Sequence, residues 1–337
     1  MSKRIRVFAW GKTFRRSVAA MTRLATASGK RVLTKTLKPV PARRAPPPGA
    51  GAWTLGVALG ATGNRRFHLY CPPGVTHGER LPLLVMLHGC GQDANGFAAC
   101  TRMNRIAQRE RFLVLYPEQD RLANAQGCWN WYATDNGRAH GEAALILQAI
   151  SQVCLLQPVD PARVAIAGLS AGASMAALLA TRSPARFKAV VMHSGIPPGT
   201  AHSTLSALSA MRGRRPTSPL PAAAGATPTR WPPLLVIHGD ADGVVSAQNG
   251  QAAVQAWATA AGARAGPARR LQRGQRYPMS VTDFKLQGRT VATLAEVHGL
   301  AHAWSGGAPG QPFSDAHGPD ASRMVWAFAS RQFALTP

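Results

Sequence analysis

The chain has 337 residues, 46% of them apolar, which is long and apolar enough for one large folded domain and excludes disorder throughout. Its 39 Lys and Arg against 14 Asp and Glu give a formal charge of +25, and the excess is uneven: residues 1–50 carry 13 basic side chains and no acid. Removing those 13 from +25 leaves +12 on the other 287 residues, so a moderately basic domain is expected behind a strongly basic arm.

Residues 1–51 are read as that arm and its linker. Arg15-Arg16, followed by Ser17 to Ala20, has the outline of a secretion signal, but Arg23 interrupts the apolar part and the stretch is short. A cytoplasmic location is therefore expected from these residues. An arm of this charge predicts either attraction to a polyanion or an anionic surface such as a lipid or granule, or a solvated tail that serves solubility alone. Aromatic residues are scarce in it, Phe8, Trp10 and Phe14 being the three before Trp53, and no nucleic-acid module surrounds the charge. The Pro-rich run Pro39 to Gly51 predicts an extended linker, and a folded domain is expected over residues 52–337. No run approaches the roughly 18 to 20 consecutive apolar residues of a membrane span.

Trp53 to Leu59 and Arg65 to Cys71 predict two strands joined by a turn over Gly60 to Asn64, an opening antiparallel hairpin. Leu83 to Leu87, Phe112 to Tyr116, Val164 to Ala167, Ala189 to His193 and Leu234 to His238 are short, continuous apolar runs, as expected of strands buried on both faces. Helix-length segments separate them: Phe97 to Arg109, Gly141 to Leu156, Ala171 to Thr181 and later Ser246 to Ala261. That alternation predicts an α/β fold, a mostly parallel central sheet with helices on both faces. Ala292 to Val297 adds a strand and Ala321 to Phe333 a closing helix. Residues 197–233, rich in Ala, Ser, Pro and Gly, are expected to form a flexible insertion or a lid.

Gly168-Leu169-Ser170-Ala171-Gly172 stands directly after a predicted strand and before a predicted helix. A sharp strand-to-helix turn there would lift the Ser170 hydroxyl above the sheet, with glycines where side chains would collide; this is the nucleophile elbow of the α/β-hydrolase fold. The alternative is a plain helix N-cap. A serine nucleophile needs a base and a carboxylate in the chain order Ser, Asp, His. Asp240 and Asp242 follow the strand Leu234 to His238; Asp242 lies further out and is preferred, with Asp240 bracing the turn. His298 and His302 follow the last strand; His302 is preferred for its small neighbours, with Trp304 walling one side of the site. His193, beside Ser194, is the other histidine to follow. Two amides must face the developing oxyanion, and those of Ala171 and of Cys90, in His88-Gly89-Cys90-Gly91-Gln92, are the candidates. The five cysteines form no CxxC pair, and no metal cluster, phosphate loop or nicotinamide fingerprint is present, so no cofactor is expected.

Leu87 to Gln92 (LHGCGQ), Phe112 to Gln119 (FLVLYPEQ), Cys128 to Trp131 (CWNW), Asp160 to Ala173, His238 to Val245 and His302 to Gly307 (HAWSGG) together resemble the polyhydroxybutyrate depolymerase family of esterases, relatives of feruloyl and acetylxylan esterases. The resemblance implies hydrolysis of carboxylic esters through an acyl-enzyme on Ser170. It places Trp129, Asn130 and Trp131 beside the cleft as a wall for the acyl or polymer chain, with simple packing as the other reading. For Cys90 and Cys128 it leaves a disulfide and two free thiols as equal readings. It also opens a periplasmic or extracellular location. Secreted depolymerases of solid polyester carry a separate polymer-binding module, absent here, so oligoesters or small soluble esters are expected, with polysaccharide-linked acyl groups as the alternative. From another class, a polyanion- or granule-surface-binding protein acting through the arm competes with the esterase.

Overall fold

The computed structural model describes residues 49–76, 78–220 and 231–335. The basic arm and nearly all of its linker, and residues 221–230 of the expected insertion, lie outside the described residues.

Among the described residues eleven strands build one sheet. β1 (Ala52–Gly60) and β2 (Gly63–Cys71) form the opening hairpin, in register from Ala52↔Cys71 to Gly60↔Gly63. The strands that follow are β3 (Leu81–Leu87), β4 (Leu113–Pro117), β5 (Val159–Leu169), β6 (Ala189–His193) and β7 (Leu234–Gly239). The short β8 (Arg264–Ala265) and β9 (Arg269–Leu271), then β10 (Met279–Leu286) and β11 (Arg289–Val297), complete it. The order is β1-β2-β4-β3-β5-β6-β7-β11-β10-β8, with β9 also on β10. From β4 through β11 every neighbour is parallel, and both ends are antiparallel.

The continuous apolar runs are explained by burial on two sides. In β3 all seven residues are buried; Leu83, Val85 and Leu87 enter one core, and Leu84 and Met86 the other. Alternate side chains of a strand point to opposite faces, so a strand covered on both must be apolar at every position. One face carries α3 (Arg138–Leu156), α4 (Ala171–Arg182) and α6 (Gln248–Ala261); the other carries α1 (Ala94–Thr101), α2 (Met103–Glu110) and α7 (Ala321–Ala334). α5 (Thr204–Met211) lies in the excursion after β6. By length and composition α3 could cross a membrane, yet its Ala143, Ile146, Ile150 and Val153 are packed into the first core.

Three elements differ from the sequence reading. The helix expected over Phe97 to Arg109 is two helices, because Arg102 adopts a left-handed conformation (φ 53°) and its guanidinium donates to the carbonyls of Gly306 (2.7 Å) and Gly307 (3.3 Å). The described part of 197–233 is not featureless: α5 starts at a capping box in which Ser203 and Ser206 exchange bonds. A final antiparallel hairpin was also not anticipated: Leu286 pairs with Arg289 across Gln287 and Gly288, both with positive φ, the two-residue turn that matches strand twist.

A further short pair, β12 (Trp304–Ser305) with β13 (Ser314–Asp315), forms beyond the sheet.

Candidate active site

β5 ends at Leu169 and α4 begins at Ala171, leaving Ser170 alone at the corner with φ 56° and ψ −121°. A side chain is held in that region only when its surroundings over-determine it. Here the Ser170 amide donates to the carbonyl of His193 at 2.8 Å. A methyl at Gly168 would collide with the backbone of Gly172, and one at Gly172 with the carbonyl oxygens of Leu87 and His88. Gly168 is therefore demanded by crowding between the end of β5 and the first turn of α4, and Gly172 by that turn's approach to the end of β3. The Ser170 side chain makes no capping bond to α4.

That hydroxyl meets His302 instead. Ser170 Oγ lies 3.0 Å from His302 Nε2, and His302 Nδ1 donates to Asp242 Oδ2 at 2.7 Å. Asp242 Oδ1 accepts the amides of Val244 (2.9 Å) and Val245 (2.8 Å), so both carboxylate oxygens are engaged. Burial alone would push the Asp242 carboxyl up; the His302 hydrogen bond and charge, the Val245 amide and His238 together hold it below its ordinary value. In the neutral imidazole, the Nδ1–H donated to Asp242 leaves Nε2 as the acceptor that faces the serine hydroxyl. The arrangement can accept a proton from Ser170 while keeping the resulting imidazolium beside a carboxylate.

Asp240 makes the second pair expected of a turn brace: Oδ2 accepts from His298 Nδ1 at 2.9 Å and Oδ1 from the Gly299 amide at 2.7 Å. His298 Nε2 is 2.8 Å from Ser280 Oγ. This pair joins the loops after β7 and β11 but does not reach Ser170.

His193, fully buried, supports both sides of the site. Its carbonyl holds the Ser170 amide, and its Nε2 accepts the amide of Ser305 at 3.1 Å, three residues beyond His302. Its ring stacks on Trp304, centroids 5.0 Å apart. Burial, with His238 and His302 close by, depresses its pKa to about 3, so it remains a neutral acceptor. His238, also buried, places Nε2 3.0 Å from the Val245 carbonyl and 3.6 Å from Asp242 Oδ2.

Ala171 directly follows the serine as the first residue of α4, and Cys90 lies in the loop after β3. Among the described residues neither amide donates to a protein acceptor. The Cys90 loop is fixed from several directions. Cys90 is disulfide-bonded to Cys128 (Cα–Cα 4.3 Å), the Gly89 amide donates to Gln92 Oε1, and the Gly91 amide donates to the Gln126 carbonyl. His88, pushed down by burial, accepts the Gln119 amide on Nε2 at 3.1 Å and sets Nδ1 2.9 Å from the Gly89 carbonyl.

The expected substrate wall requires correction. Trp129 is fully buried and donates Nε1 to the His88 carbonyl at 3.0 Å. Asn130, 1% exposed, is consumed by Glu142, which takes its amide (2.9 Å) and its Nδ2 (2.6 Å). Trp304, 0% exposed, donates to Ser322 Oγ at 3.0 Å and packs between His193 and Phe97. Trp131 belongs to the core with 8% of its surface left. Trp129 braces the Cys90 loop through His88 and Trp304 fixes the His302 loop, each indole being satisfied by packing plus a single acceptor. The sequence showed aromatic residues near the site but not which way they point.

A family model described as "Esterase PHB depolymerase" matches residues 65–275, more than half of the chain, including Cys90, Ser170 and Asp242 and ending before His302. The chain is 30% identical over 203 residues to "Poly(3-hydroxyalkanoate) depolymerase C" of Paucimonas lemoignei, covering 56% of this chain and 46% of that protein. It is 24% identical over 216 residues to "Feruloyl esterase B" of Neurospora crassa, covering 59% and 71%. The chain thus spans less than half the length of the depolymerase it matches. Among solved structures, "Acetyl xylan esterase from Aspergillus awamori" superposes with a TM-score of 0.59 at 18% identity, over 74% of this chain and 94% of that one. The likeness supports the α/β-hydrolase fold, already visible in the sheet order and the corner at Ser170. By the extent of the family match, the chain belongs to the Esterase PHB depolymerase family.

Proposed function

We propose that this protein is a serine esterase that hydrolyses carboxylic esters through an acyl-enzyme on Ser170. The observation that carries the reading is the unbroken relay from Ser170 Oγ through His302 to Asp242, with contacts of 3.0 and 2.7 Å. Ser170 Oγ attacks the ester carbonyl as His302 Nε2 takes its proton, and Asp242 steadies the imidazolium. The oxyanion is received by the amides of Cys90 and Ala171. His302 then gives its proton to the departing alcohol, and water, deprotonated by the same nitrogen, releases the acid.

Hydroxyalkanoate oligoesters and small soluble esters are the proposed substrates, supported by the family match and by the depolymerase relative. Polysaccharide-linked feruloyl or acetyl groups are the second reading, favoured by the larger share of the feruloyl esterase that is covered. The basic arm, 13 cations without an acid, is proposed to hold a polyanion or anionic surface without taking part in hydrolysis. Deleting it is expected to weaken polyanion binding steeply with salt and to leave ester turnover intact.

The test is hydrolysis of p-nitrophenyl esters of graded length, 3-hydroxybutyrate oligomers and methyl ferulate by the wild type beside Ser170→Ala. Turnover that disappears in the variant supports the nucleophile, and the preferred ester selects the substrate class. A folded wild type inert on every ester would overturn the proposal.

A further inference from the structure

The antiparallel extension of the sheet leaves a groove lined by none of Ser170, Asp242 and His302. Its floor is the face of β7, β11 and β10 beside α7: Val281, Ala295 and Phe328 are buried there. The groove encloses about 850 Å³, within the range of about 300 to 1,000 Å³ typical of small-molecule sites. Leu271 and Leu335, 41% and 67% exposed, stand at its mouth as apolar surface without cover. Around it are Arg269, Arg273, Arg289 and Arg331, against the single carboxylate of Asp283. Asp283 is taken by Arg269 at 2.7 Å, and among the described residues the other three arginines join no ion pair.

An apolar trough with an unbalanced cationic rim favours one chemistry, an aliphatic chain ending in an anion. A second copy of the chain at +25 has the wrong charge to fill it, and so has a segment of 13 cations without an acid. We propose that this groove binds a single-chain anionic amphiphile, a long-chain carboxylate, with the chain along the half-exposed Met279 and Met324 and the exposed Leu271 and Leu335, and the carboxylate at Arg273 and Arg331. Guanidinium groups suit it because they pair with a carboxylate through two parallel N–H donors. The site is separate from the relay at Ser170, and the proposal does not depend on the hydrolytic reading.

Calorimetric titration of the full chain with sodium dodecanoate, kept below its aggregation concentration, tests this in the wild type and in Ser170→Ala. One saturable site is expected in both, with no saturation by dodecyltrimethylammonium, which has the same chain and the opposite charge. Arg273→Glu combined with Arg331→Glu is expected to weaken binding about tenfold or more. Ala327→Trp, a change at an exposed position on the wall of the groove, fills it from outside the core and is expected to block binding. Circular dichroism checks that each variant folds. Dodecanoate that fails to saturate, or that binds with unchanged affinity to both groove variants, overturns the proposal. So does binding confined to phosphatidylglycerol vesicles, which would make this a membrane face rather than a site for one molecule.

Discussion

Two Asp–His pairs hang from the ends of the same two strands, and they have opposite surroundings. β7 and β11 are parallel neighbours, in register at His238↔Glu296 and Gly239↔Val297. Asp240 and His298 leave first and meet at 2.9 Å, with side chains 46% and 38% exposed. Asp242 and His302 leave later and meet at 2.7 Å, 0% and 9% exposed. Contact distance hardly separates them. The difference lies in what excludes water and in the third partner: His298 ends on Ser280, whereas His302 ends on a serine whose backbone is held at a positive φ. An exposed ion pair is worth about 0 to 1 kcal/mol, while a buried one governs the protonation and aim of its histidine.

The sharpest way to break this comparison is Asp242→Asn, expected to lower kcat about 10⁴-fold by leaving His302 in the wrong tautomer; kinetics on one p-nitrophenyl ester measure it. A loss of less than tenfold would place the working carboxylate elsewhere. Next in size is a change that spares both pairs. Cys90→Ser with Cys128→Ser is expected to cost about 10- to 100-fold in kcat, because a loosened Cys90 amide no longer meets the oxyanion. Labelling of Ser170 by a fluorophosphonate should persist, which separates a displaced donor from a broken relay.

Acid stability probes the buried side through His193. Its folded pKa, about 3, lies below the ordinary 6.5, so between those values the unfolded chain binds the proton and the fold does not. The contribution is complete above pH 6.5 and is lost as pH falls towards 3, by about 2 kcal/mol at pH 5. His88 and His238, pushed down mainly by burial, act in the same direction. Urea titrations at pH 7 and pH 5 should therefore part, and superimposable curves would contradict a neutral buried His193. The smallest effect is expected from Asp240→Asn: less than about threefold in kcat and under about 1 kcal/mol in the same urea titration. If it matched Asp242→Asn, burial would be the wrong criterion for choosing between the pairs.

Much of this was legible in the residues. Continuous apolar runs mark strands covered on both faces, and Gly168 and Gly172 are demanded by backbone crowding, so the sheet and the corner at Ser170 follow from local composition. Asp242 is preferred for lying further out in its loop and His302 for its small neighbours, and these two meet at 2.7 Å with Ser170 Oγ 3.0 Å beyond. What escaped was orientation. CWNW and Trp304 carry indoles near the site, but whether an indole faces substrate or core depends on partners distant in sequence: the His88 carbonyl for Trp129, Ser322 for Trp304 and Glu142 for Asn130. The break at Arg102 was hidden for the same reason, since its fixing acceptors are about two hundred residues away. The Gln287-Gly288 hairpin did carry a local signal, a polar residue before glycine between alternating strands, and could have been read.

The relay closes across 132 residues between Ser170 and His302 and 60 between Asp242 and His302. Contacts of such sequence separation carry a large loop-closure entropy and tend to form late. Ester turnover during refolding would therefore follow the completed joining of β5, β7 and β11, while circular dichroism would register helices formed earlier from local contacts. A chain caught with its secondary structure in place and that last joining unmade would look native to a spectrometer and be silent to a substrate.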